Sequence, residues 1–124
     1  MSTNKIDAIV LKKALIGALN SLGENKEVVD ALNVFPVPDG DTGTNMLLTM
    51  KSAVTNAVKE ENKTVKEISS ALSKGALLGA RGNSGVILSQ LLRGFKEAVE
   101  DKEYIDIEAL MEAFVKASEV AYKA

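Results

Sequence analysis

Apolar residues recur along most of this chain at spacings of three and four, the period of helices that bury one side. Between about Lys5 and Leu22, the residues Ile6, Ile9, Val10, Lys13, Ala14, Ala18 and Leu22 show mixed helical spacing, and Leu11, Leu15 and Leu19 widen the stripe into one broad buried face. Gly23 stands where that helix is expected to end. A short helix, Glu27 to Leu32, follows it. Leu47, Met50, Val54, Ala57 and Val58 then mark a third helix, with Thr44 or Asn45 as its cap. The polar stretch Glu60 to Lys63 is a loop, and Thr64-Val65-Lys66-Glu67 fits a capping box that opens a fourth helix. Val65, Ile68, Leu72, Gly75 and Gly79 lie along one side of it, the two glycines allowing close backbone approach. The period breaks at Gly79 to Gly85 and restarts through Val86, Leu88, Leu91, Leu92, Phe95 and Val99, with Asn83 or Ser84 as N-cap. A last helix begins near Asp106 and carries Ile107, Leu110, Met111, Phe114, Val115, Ser118 and Tyr122 on its face. It reaches Ala124 without a stop signal, which predicts a piece of something longer. Short loops between about six such helices predict an all-α antiparallel bundle or barrel.

Composition narrows the chemistry. The chain is 124 residues, about one domain, and its 46% hydrophobic content is enough for a core, while only 4% is aromatic. Abundant alanine, leucine and lysine suit packed helices better than a β-sandwich. A formal net charge of −2 gives no global field attracting nucleic acid, so a small metabolite is the expected ligand. With no cysteine and no histidine, thiolate chemistry, a Ser-His-Asp triad and an ordinary zinc site are excluded. Lys12, Lys13 and Asp7 interrupt the early apolar run, so no signal peptide or membrane span is predicted and a cytoplasmic location follows by default.

Two stretches break the helical pattern in ways that carry chemistry. In Asn-Val-Phe-Pro-Val-Pro-Asp-Gly-Asp-Thr-Gly-Thr-Asn, residues 33 to 45, both prolines stiffen the chain and Asp39 and Asp41 stand one residue apart. Asp and Gly are the residues turns prefer, so a plain surface turn is the simplest account. Against it stand the flanking prolines, the carboxylate pair able to share a cation, and the helix start that follows, whose unpaired amides favour an anion. A calcium loop is rejected because its fifth, sixth and twelfth positions are Gly43, Thr44 and Met50. In Gly79-Ala80-Arg81-Gly82-Asn83-Ser84-Gly85, glycines again feed a helix start. Close helix packing explains such a turn equally well, and Arg81 is either a solvated charge or a partner for phosphate oxygen. The stretch is neither a Walker A loop nor, lacking a preceding strand, a dinucleotide fingerprint. Together the two turns offer hard oxygen ligands for Mg²⁺ and backbone donors for phosphates.

These two blocks, with the Met-bearing helix after the first and Val-Ile-Leu-Ser-Gln after the second, strongly resemble the nucleotide-binding domain of bacterial fatty acid kinase, a relative of the dihydroxyacetone kinase L-subunit family. The resemblance runs along essentially residues 1–124 and implies an all-α barrel of antiparallel helices, an eight-helix barrel completed by helices after Tyr122. It implies ATP, or ADP, and two Mg²⁺ at one end. By matching position, Asp39 and Asp41 would bind the metals and serve catalysis, with Asn33 adding a side-chain oxygen. The loop Thr42, Gly43, Thr44, Asn45 and the turn Gly82, Asn83, Ser84 would hold phosphates. Dihydroxyacetone-type relatives have a third aspartate five residues before the first of the pair, where this chain has Val34 beside Asn33.

The resemblance further implies γ-phosphoryl transfer to a fatty acid carboxylate, presented by a separate lipid-binding protein that docks through other domains, to give an acyl phosphate. An acceptor that is already a carboxylate needs no base, which suits a chain without histidine. Two alternatives stand beside it: a dihydroxyacetone-type kinase subunit, needing a histidine on its partner, and a non-catalytic helical interaction module. An incomplete barrel would expose the apolar stripes of its first and last helices, so a homodimer is expected.

Overall fold

The computed structural model describes residues 5–32 and 41–123. These form five helices and no strand: α1 (Ala8–Leu32), α2 (Thr42–Ala57), α3 (Val65–Gly79), α4 (Gly82–Val99) and α5 (Ile107–Lys123). Contacts fix their directions. Asp30 meets Thr44 while Lys12 reaches the Lys59 carbonyl, so α1 and α2 run antiparallel. Ser52 bonds the Gly75 carbonyl and Asn56 the Ala71 carbonyl, so α3 runs back along α2. The short connection through Ala80 and Arg81 then leads the chain into α4, whose start packs against the start of α2. The all-α expectation holds.

The core lies among all five helices, with Val54, Val65, Ile68, Leu72, Val99 and Ile105 at most 2% exposed. Burying each such side chain contributes about 1.5–3 kcal/mol relative to leaving it in water. The predicted capping box is present: the Thr64 hydroxyl accepts from the Glu67 amide at 3.0 Å, and the Glu67 carboxylate accepts from the Thr64 amide at 3.2 Å. The expected glycine approach is present too. A Cβ on Gly75 would lie 2.7 Å from the Ser52 carbonyl oxygen, and one on Gly79 would strike the Ser52 side chain. Ahead of α1, Ile6 exchanges two 2.8 Å backbone hydrogen bonds with Ile105. This ties the entry of α1 to the segment leading into α5.

Four expectations need correction. The first two predicted helices are one, α1, which passes through Gly23 without a left-handed turn. Gly23 packs against Leu47, and the extra turns carry Lys26 and Asp30 onto the start of α2, so tertiary contact overrides a local stop signal. The count among the described residues is therefore five helices, not six. The helix starts also shift: α2 begins at Thr42 with Asp41 in the N-cap position, and α4 at Gly82 with Arg81 there, neither with a side-chain capping bond. Finally, α5 turns its small residues inward. Ala109, Ala113 and Ala117 are buried, whereas Ile107, Met111, Phe114, Val115 and Tyr122 are exposed. Gly94 of α4 is the cause, since a Cβ there would strike Ala117 and lie 2.7 Å from the Lys116 carbonyl oxygen. Backbones this close leave room only for alanine.

Candidate functional site

Helix α2 starts against α1. Asp41 is exposed, and its carbonyl accepts the Asn45 amide at 2.9 Å, the first bond of the helix. Gly43 is buried so tightly that a Cβ would collide with the Lys26 carbonyl oxygen. Thr44 donates its amide to Asp30 Oδ1 at 3.1 Å and its hydroxyl to Oδ2 at 2.9 Å. A carboxylate of α1 thus takes the place an anion would take at this helix start. Desolvation raises the Asp30 pKa, but donation from Thr44 and Gly43 and the nearby Lys26 charge outweigh it, leaving it below the ordinary carboxylate value.

Helix α4 starts against α2. Gly82 adopts φ 65°, a left-handed conformation that favours glycine, and Asn45 fills the space where a Cβ would stand. Ser84 donates its hydroxyl to the Thr42 carbonyl at 3.3 Å. Thr49 donates to the Asn45 carbonyl at 2.8 Å and accepts the Arg81 amide at 3.0 Å. Gly85 closes the joint, since a Cβ there would strike the Thr49 hydroxyl. The starts of α2 and α4, with Asn45 and Gly82 37 residues apart in sequence, therefore meet at one end of the bundle. Both present the positive end of a helix dipole.

Of the residues expected at a site, the fold brings Thr42, Asn45, Gly82 and Ser84 together, with Asn83 exposed beside them and Asp41 at the α2 start. Gly43 and Thr44 face α1 instead. Asn33 and Asp39 lie outside the described residues, and among the described residues no three carboxylates gather as a metal cluster. Asp30 and Thr49 are site residues that the sequence pattern did not single out; Asp30 lies 14 positions from Thr44 and Thr49 lies 32 from Arg81, beyond any local motif. Among the described residues, a depression of about 430 Å³ lies by Tyr104, Asp106 and Ala109, and another of about 540 Å³ by Met111 and Val115. Among the described residues, the site is carried by paired helix starts.

Residues 36–124 match the DAK2 domain, a span that includes both helix starts. The chain belongs to the DAK2 domain family. This is a kinase family. The DAK2 chain is 46% identical over its full 124 residues to "Protein YloV" of Bacillus subtilis (strain 168). It is 47% identical over 121 residues, 98% of its length, to an uncharacterised protein of Staphylococcus aureus (strain USA300). It spans 22% of the length of each of these relatives.

Proposed function

We propose that this DAK2 chain is the nucleotide-binding module of a fatty-acid-type kinase, moving the γ-phosphoryl group of Mg-ATP to a carboxylate presented by a lipid-binding protein. The observation that carries this is the meeting of the α2 and α4 starts. The residues fit the ligand chemistry. Asp41 is an exposed hard-oxygen donor at the joint, and together with Asp39 and Asn33 it is assigned to the metals. The α4 start, whose N-cap residue Arg81 makes no side-chain capping bond, is assigned to the phosphates through Gly82, Asn83 and Ser84. Within Thr42 to Asn45 the division is finer: Asp30 already holds the Thr44 amide, leaving Thr42 and Asn45 facing the second turn. Bound Mg²⁺ would draw charge from the phosphate oxygens. The chain's own part is to orient the triphosphate, fix the donors before the reaction and offer no competing base.

In ³¹P NMR, adding the chain to ATP with Mg²⁺ is expected to shift or broaden the β and γ resonances, while AMP stays unaffected. Identical ATP spectra with and without protein would overturn the assignment. A dihydroxyacetone-type kinase is the second reading, favoured by the DAK2 match itself. Acyl phosphate is trapped by hydroxylamine as a hydroxamate and a sugar phosphate is not, so the trapped product separates the two acceptors.

A further inference from the structure

Among the described residues, three polar ones are fully or almost fully buried: Thr49, Ser69 and Ser89. Ser69 bonds the Lys66 carbonyl and Ser89 the Val86 carbonyl, each within its own helix. Thr49 differs, since its hydroxyl donates to Asn45 in α2 and accepts from the amide of Arg81, the residue that leads into α4. We infer that Thr49 is a positioning residue for the nucleotide site, its hydroxyl setting where the α4 start stands against the α2 start.

The chemistry requires both functions of a hydroxyl. Bonding back to the carbonyl four residues earlier spends the proton and fixes the oxygen, leaving a lone pair aimed outward for the Arg81 N–H. Valine has the same shape but cannot accept, so the Arg81 amide would lose its partner next to the turn that is assigned to phosphate. Gly85 shows how closely the joint is fitted, because a Cβ there would strike the same oxygen. The role rests on the proposed nucleotide function for its ligand, whereas the joint itself is independent of it.

Thr49→Val, Thr49→Ser and Ser69→Ala are compared with the wild-type chain by amide hydrogen exchange at Arg81 to Gly85 and by Mg-ATP titration calorimetry. Thr49→Val is expected to speed exchange at Arg81 about tenfold and to weaken Mg-ATP binding about tenfold, the equivalent of one lost buried hydrogen bond. Thr49→Ser, which keeps the hydroxyl, is expected to stay within about twofold of wild type in both. Ser69→Ala, remote from the joint, is expected to change neither, even where it lowers the melting temperature. Unchanged exchange in Thr49→Val, or faster exchange with unchanged affinity, overturns the inference. Should Thr49→Val lose its helical signal, Thr49→Cys, a weak acceptor of similar size, is read by the same criteria. A wild-type chain that binds no Mg-ATP defeats the nucleotide function instead, and exchange at Arg81 then decides the positioning alone.

Discussion

At Asp30, desolvation favours the neutral carboxyl and donation from the α2 start favours the charged one; donation wins. The folded pKa therefore lies below the unfolded value of about 3.9. The stabilisation this group supplies is fully present above that unfolded value and is lost as pH falls through the lower folded one. Urea unfolding of Asp30→Asn at a series of pH values is expected to show a deficit against wild type at pH 7 that narrows below about pH 4. An equal deficit at every pH would contradict the charged contact. Glu67 follows the same sign, its carboxyl lowered chiefly by the Lys63 amide, then by Thr64, against some desolvation. Its partner in the capping box gives a second residue-scale prediction: Thr64→Ala should lower stability by about 1 kcal/mol, seen as a lower urea midpoint with an unchanged slope.

Between elements, glycine sets the spacing. Gly94 admits α5 so closely that Gly94→Ala should cost about 1–3 kcal/mol by overpacking, measured by chemical denaturation. Leu72→Ala, at a fully buried position, should cost about 2–5 kcal/mol through a cavity. What could be read in the sequence follows from range. The capping box at Thr64 and the glycine seam at Gly75 and Gly79 were legible because each is written within one helix or one turn. The inward alanines of α5 were not, since periodicity counts large side chains and the deciding residue, Gly94, is on another helix. Gly23 misled for a similar reason: a stop signal is local, while the contacts of Lys26 and Asp30 that extend α1 are not. Both glycine-rich turns were visible as candidate sites, but the meeting of the α2 and α4 starts through Thr49 and Ser84 could be seen only in three dimensions.

Across the whole molecule, exposed apolar side chains lie on α5 and α1 and also beside the α4 start, at Leu77, Leu78, Val86 and Ile87. Among the described residues no helix is long and apolar enough to cross a membrane. Yet Ile107, Met111, Phe114 and Val115 form an outward stripe on α5, Phe114 being 70% exposed, and Ile9 and Val10 of α1 are exposed as well. Stripes of this kind mark interaction surfaces. We therefore propose that the 124-residue chain self-associates, and that Phe114→Asp weakens association without loss of helical signal; a monomer mass at every concentration in sedimentation equilibrium would contradict this. At the site, the joined starts of α2 and α4 make one demand on the exposed Asp41: it should matter for metal-assisted binding and little for folding. Calorimetric titration of ATP into wild type and Asp41→Ala, with and without Mg²⁺, measures this directly. The expected result is Mg²⁺-dependent binding in wild type that is lost in Asp41→Ala while its helical circular dichroism is retained. Equal heats in all four titrations, or unfolding of Asp41→Ala, would contradict it.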